Sequence, residues 1–202
     1  MKYLLILLSI STYALAQFSP QTQTDILNAH NAIRRKIAKS QFNAKGIKKP
    51  AASNMRQLKW DNNLAASAQE FADECPLLVS GNVGQNLYQD YVEEDFDLNQ
   101  AGVAAVLDWT DRFQTYGWET QTYDKSKNGP ISWGIQVVWA NTGAVGCGVS
   151  LCGDGADFNP YIVKVVCQYS PVGNIDGQVV YKTGTACSAC PSGTTCNDGL
   201  CA

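Results

Sequence analysis

Four cysteines, Cys187, Cys190, Cys196 and Cys201, crowd into the last fifteen residues before the C-terminal Ala202, set among Ser, Gly, Thr and Pro. A segment of that composition buries too little apolar surface to hold a shape and needs covalent staples. Cys75, Cys147, Cys152 and Cys167 bring the total to eight. At the other end, Met1 and Lys2 precede an apolar stretch from Tyr3 to Leu15, and Ala14-Leu15-Ala16 stands before Gln17. That is the pattern of a secretory signal peptide over residues 1–16, which predicts a secreted, extracellular product. An even cysteine count in an exported chain predicts disulfides. The pair Cys187-x-x-Cys190 also matches a four-thiolate zinc site in spacing, but thiolates oxidise along the secretory route.

After the leader no stretch reaches the roughly 18 to 20 continuous apolar residues of a membrane helix, so stable membrane insertion is not expected. The chain has 15 basic and 18 acidic residues; the leader takes Lys2 with it, which leaves a formal charge of −4. Nucleic acid is not an expected partner, because its phosphates call for a basic patch. The short clusters Arg34-Arg35-Lys36 and Lys45 to Lys49 are expected to be solvated surface.

Apolar residues at Ile26, Ala29, Ile33 and Ile37 recur at helical spacing, predicting a helix from Thr24 with Thr24 or Asp25 as its cap. Leu64, Ala68, Phe71 and Cys75 predict a second, ended at Cys75 by Pro76. Val103, Val106, Leu107, Trp109 and Phe113 predict a third from Asn99 to Phe113. The second half changes character: Ile135 to Ala140, Val145 to Cys152 and Tyr161 to Tyr169 are rich in β-branched and aromatic residues and are separated by turn signals, which predicts strands. Helices followed by closely spaced antiparallel strands predict an α+β domain with a sheet covered on both faces. From Pro171 onward a loose connection leads to the cysteine tail.

Several motifs together resemble the CAP superfamily of cysteine-rich secretory proteins, antigen 5 and pathogenesis-related 1 proteins. They are His30-Asn31-x-x-Arg34, Leu58-Lys59-Trp60-Asp61, Gly84-x-Asn86-Leu87-Tyr88, Gln136-Val137-Val138-Trp139, Gly146-Cys147-Gly148-Val149, and Val166-Cys167-Gln168-Tyr169 with Gly173-Asn174. The tail looks like that of nematode venom-allergen-like or activation-associated secreted proteins. The resemblance implies an α-β-α sandwich over residues 17–174, with 175–202 as linker and stapled tail. It also implies the pairs Cys75–Cys152 and Cys147–Cys167. Three pairings are open within the tail, of which the crossed one, Cys187–Cys196 with Cys190–Cys201, is preferred.

Many members of that superfamily hold two histidines and two glutamates in a central cleft. Followed by local motif, those positions carry Val79, Gln85, Arg112 and Trp133 here. The chain has a single histidine, His30, so a two-histidine metal site within one molecule is impossible. Neither a metal nor another cofactor is expected. His30 is expected to be structural, and with no nucleophile motif beside it no catalytic residue is expected and no enzyme. Trp133 and Arg112 could instead offer an indole platform and a guanidinium to a ligand. Tyr88, Tyr91 and Phe96, expected on a loop after Asn86, are candidates to line a sterol groove, interrupted by the acids Glu93, Glu94 and Asp95. The expected function is non-enzymatic binding of a sterol, a fatty acid or another small lipid. The alternative is an extracellular effector that engages a protein partner through its cleft or tail.

Overall fold

Ser19 and Pro20 set the start of the first helix: the Ser19 hydroxyl accepts the Thr22 backbone N–H at 3.2 Å and proline occupies the first turn. In this computed structural model, which describes residues 18–79, 84–156 and 159–202, α1 runs Pro20–Ala38. It therefore begins a turn before Thr24. The expected leader lies outside the described residues.

Asp61 caps α2 (Asn62–Asp73), accepting from Asn63 and Leu64. The helix stops two residues short of Cys75, which adopts a positive φ of 52° just ahead of Pro76. The third helix, α3 (Asn99–Tyr116), buries Ala105, Val106, Trp109 and Phe113, while Leu107, expected on its apolar side, is 47 % exposed. Two short helices follow, α4 (Lys125–Asn128) and α5 (Ser132–Val137).

The strands are β1 (Asn43–Ala44), β2 (Ile47–Lys48), β3 (Lys59–Trp60), β4 (Gln85–Tyr91), β5 (Ala144–Cys152), β6 (Ile162–Ser170), β7 (Cys196–Asn197) and β8 (Leu200–Cys201). The main sheet has the order β3-β5-β6-β4, antiparallel except for the β3–β5 pair. One face is covered by α2, which lies so close that a Cβ on Gly146 or Gly148 would run into the α2 backbone at Ala65 or Gln69. The opposite face meets α1, α3 and α5 in a core that includes Ile26, Val106, Trp109, Ile135 and Val165. The architecture is an α+β sandwich of the α-β-α type.

Several expectations need correction or extension. Ile135 to Ala140 is not a strand: it forms α5 and the turn after it. All six residues are buried, so the run lacks in–out alternation and its β-branched content misleads. Tyr88 and Tyr91 are not on a loop but on β4, which pairs with β6 from Gln85↔Gln168 to Tyr91↔Ile162. The connection after Pro171 is not loose. Its backbone pairs with Gln121, Tyr123 and Ala140, and it buries Val180 and Tyr181. The tail, finally, does more than hold itself by staples, since Leu200 is fully buried in the core and Cys201 pairs its backbone with Met55 and Gln57.

In the basic clusters Lys36, Lys45 and Lys48 are exposed as expected, but Arg34 and Lys49 are not. Arg34 is fully buried and donates to the carbonyls of Arg56, Val137, Trp139, Ala140 and Thr142. Lys49 is buried too, its Nζ donating to the Trp118 carbonyl at 2.6 Å.

Candidate ligand-binding site

Where α2 ends, Lys164 of β6 reaches across and donates to the carbonyls of Cys75 (3.2 Å) and Pro76 (2.6 Å). A disulfide joins Cys75 to Cys152 at the end of β5. These two ties hold the segment Leu77-Leu78-Val79 as one wall of a groove of about 460 Å³. The floor is Leu87, Tyr88 and Gln89 of β4, which is the edge strand of the sheet. Asp108 and Arg112 of α3 and Trp133 at the start of α5 form the other side.

The far wall is fixed from behind. Asn86 Nδ2 donates to the Trp133 carbonyl at 3.0 Å, Asn174 Nδ2 donates to the Ser132 carbonyl at 2.8 Å, and Gln136 Oε1 accepts the Gly173 N–H at 2.9 Å. On that support the Arg112 guanidinium lies 4.5 Å over the Trp133 ring, a cation–π contact. Its Nε stands 3.5 Å from Asp108 Oδ2, one helical turn back. The Tyr88 hydroxyl donates to Asp90, and its pKa is pushed up to about 12, first by burial and then by the Asp90 charge.

Of the five residues expected to bind ligand, three come together here: Tyr88, Arg112 and Trp133. Tyr91 and Phe96 do not join them and instead line a second, more open groove of about 540 Å³ with Asp90, Val92, Glu93, Gly155, Pro160 and Tyr161. The cause is the strand itself, whose alternation sends residues three apart to opposite faces. Gln85 lies on β4 outside the groove's lining, its Oε1 accepting from Gln168 at 3.3 Å. Leu77, Leu78 and Gln89 escaped sequence reasoning. For the leucines a signal existed: an apolar run directly after the Pro76 breaker, where no periodic element accounts for it.

The lining does not fit a divalent cation. Val79, Leu87 and Trp133 offer no ligand atom, Arg112 brings positive charge, and Asp108 is the one carboxylate lining the groove among the described residues. His30 lies elsewhere, wholly buried. Its Nδ1 donates to the Ile26 carbonyl at 2.8 Å and its Nε2 accepts from the Tyr169 hydroxyl at 2.9 Å. Burial lowers its pKa to about 4 and keeps it neutral. The sulfurs of Cys187, Cys190 and Cys201 lie within 4.8 Å of one another, but as halves of the disulfides Cys187–Cys196 and Cys190–Cys201 they are not thiolates. The fourth disulfide, Cys147–Cys167, spans the directly opposed pair of β5 and β6.

The sequence profile described as the Cysteine-rich secretory protein family, CAP, matches residues 27–169. Peptidase inhibitor 16 of Mus musculus is 34 % identical over 94 % of this chain, which spans only 35 % of that protein's length. Cysteine-rich secretory protein 2 of Cavia porcellus is 30 % identical over 93 % of this chain and 71 % of its own length. Among solved structures, Na-ASP-1 superposes with a TM-score of 0.83 at 28 % identity, over 96 % of this chain and 50 % of that one.

Proposed function

Because this chain belongs to the cysteine-rich secretory protein family, CAP, we propose that it is an exported, non-enzymatic binding protein whose groove between β4, α3 and α5 takes a sterol or another small lipid. The observation that carries this is the wall of the groove. Leu77 and Leu78 are each 82 % exposed, the largest values for large hydrophobic residues among the described residues, and they line the groove with Leu87 and Trp133. Adjacent exposed leucines held in place by a disulfide and a buried lysine favour a ligand that covers them. The groove's volume of about 460 Å³ is of the size that small-molecule sites occupy.

We further infer that Val79, Gln85, Arg112 and Trp133 replace the histidines and glutamates that many relatives hold in their cleft. The chemistry of that set supports a loss of metal chemistry and of any activity depending on it. The absence of catalysis is supported too by the single histidine, which is neutral, buried and engaged on both ring nitrogens.

A second reading has its own observation. Tyr91 is 73 % exposed on the open groove with Phe96, Asp90 and Glu93, which favours an extracellular protein partner at that face.

Titration of oxidised residues 17–202 with labelled cholesterol and palmitate, beside a denatured control, tests the first reading. Saturable binding that is lost on Leu77→Ser with Leu78→Ser supports it. Absence of saturable binding for both probes rejects it and moves the search to a protein captured through Tyr91.

A further inference from the structure

We propose that the C-terminal tail is a thiol–disulfide exchange site. A small-molecule thiol attacking Cys196 moves the tail from its resting pairs, Cys187–Cys196 and Cys190–Cys201, to a second complete set, Cys187–Cys190 and Cys196–Cys201. The switch is independent of what the groove binds.

The first ground is proximity. A disulfide breaks when a thiolate attacks one of its sulfurs, so exchange within a protein requires a third sulfur beside the bond. The sulfur of Cys187 lies within 4.8 Å of both sulfurs of Cys190–Cys201. No other three cysteine sulfurs meet in this way among the described residues. Cys187 is itself bonded to Cys196, which is exposed, whereas Cys201 is buried. A thiol arriving from solution therefore meets the bond whose opening frees Cys187.

The second ground is the geometry of the new pairs. Cys196 and Cys201 are directly opposed across β7 and β8. The neighbouring pair, Thr195 and Ala202, exchanges both backbone hydrogen bonds at 2.9 Å, which makes Cys196 and Cys201 a non-hydrogen-bonded pair. Cα atoms in such a pair are about 4.5 Å apart, within the range a disulfide spans. This chain already bridges one directly opposed pair, Cys147 and Cys167. Cys187 and Cys190 have the Cys-x-x-Cys spacing of redox-active dithiols.

The third ground is that the scaffold outlasts either bond. Leu200 is fully buried, Cys201 pairs its backbone with Met55 and Gln57, and Asp198 forms ion pairs with Arg35 and Lys39. The Ala189 N–H donates to the Ser53 carbonyl at 3.0 Å. These ties hold the sulfurs together while one disulfide is open.

The steps balance. The incoming thiolate bonds to Cys196 Sγ, and Cys187 leaves as a thiolate. Cys187 then bonds to Cys190 Sγ, and Cys201 leaves as a thiolate. Cys201 attacks Cys196 Sγ across the hairpin and expels the original thiolate. Each step forms one S–S bond and breaks one, so the chain is neither oxidised nor reduced and the thiol is regenerated. The resting pairs join residues 9 and 11 apart. The new pairs close shorter loops, which restrict the unfolded chain less, and they no longer tie the Cys187–Cys190 segment to the hairpin. The exchanged tail is the looser of the two.

The experiment treats oxidised residues 17–202 with less than one equivalent of reduced glutathione, quenches with acid and maps the disulfides by mass spectrometry. Cys187–Cys190 and Cys196–Cys201 should appear together, in an amount exceeding the glutathione added, with Cys75–Cys152 and Cys147–Cys167 unchanged. Cys196→Ser, shown to be folded by a thermal melt, leaves Cys187 as a free thiol. Acid-quenched alkylation of that variant should label Cys201 as well as Cys187. Persistence of the resting pairs alone, or exchange that reaches the other two disulfides equally, overturns the proposal. Labelling of the Cys196→Ser variant on Cys187 alone also overturns it.

Discussion

The Nε2 of His30 lies 2.9 Å from the hydroxyl of Tyr169, and that same hydroxyl is 3.3 Å from Asn86 Nδ2, whose other contact is the Trp133 carbonyl. A buried polar chain thus runs from α1 through the sheet to the wall of the groove. It works only with a neutral imidazole, because Nδ1 must donate to Ile26 while Nε2 accepts from Tyr169.

Acid should therefore destabilise the protein through His30. Its folded pKa of about 4 lies below the ordinary value of 6.5, so the unfolded chain takes up a proton on this group before the folded one does. The stability contribution is full above pH 6.5, declines as pH falls towards 4, and is flat below. Its size is on the order of 3 kcal/mol. Denaturant unfolding at pH 7, 5.5 and 4 should show this slope, and His30→Gln should lack it while being less stable at pH 7.

Arg34→Met should cost about 3 to 5 kcal/mol, because five carbonyl acceptors lose their donors inside the core. Arg34→Lys should recover little, since one ammonium cannot span acceptors on Arg56, Val137 and Thr142. Chemical denaturation of both variants checks this, and wild-type-like stability for the lysine variant would contradict it.

Removing Cys75–Cys152 should affect binding as well as stability. The two residues are 77 apart, so the loop-closure contribution is roughly 4 to 5 kcal/mol. The bond also anchors the Leu77–Val79 wall. Serine at both positions should lower the melting temperature and weaken lipid binding together. Serine at Cys190 and Cys201, which are 11 apart, should lower stability by about 3 kcal/mol and spare binding.

Zinc should leave the melting temperature of the oxidised protein unchanged. A ligand present at 100 times its Kd would add about 2.7 kcal/mol to the folded state, easily seen as a shift of several degrees. Such a shift would contradict the assignment of Val79, Gln85, Arg112 and Trp133 as replacements for metal ligands.

How much of this was legible in the chain differs from element to element. The spacing of Ile26, Ala29, Ile33 and Ile37 marks the inward side of α1, but the burial of His30 and Arg34 beside that stripe was not legible, because a polar side chain is buried only where tertiary acceptors meet it. The block Gly146-Cys147-Gly148 was visible as a motif, but the reason for its glycines is a tertiary contact, the α2 backbone resting on β5. Strand β4 was hidden because an edge strand carries polar residues such as Gln89 and Asp90 and so loses the apolar signature that strands of the interior show. For the groove, Arg112 and Trp133 could be singled out from motif counting, yet their stacking, and the leucine wall opposite, depend on how α2, α3 and α5 converge. Nothing local in the sequence sets that convergence.

The most direct test of the central claim uses tryptophan emission. The chain has five tryptophans, and of these Trp133 alone lines the groove, while Trp109, Trp118 and Trp139 are buried in the core. Titration with palmitate brominated along its chain should quench emission saturably in the native protein, and the quenching should fall sharply in Trp133→Phe, leaving only what Trp109 behind Leu87 contributes, although unlabelled palmitate still binds. Saturable binding with quenching undiminished in Trp133→Phe would place the lipid elsewhere and contradict the assignment of this groove as the binding site.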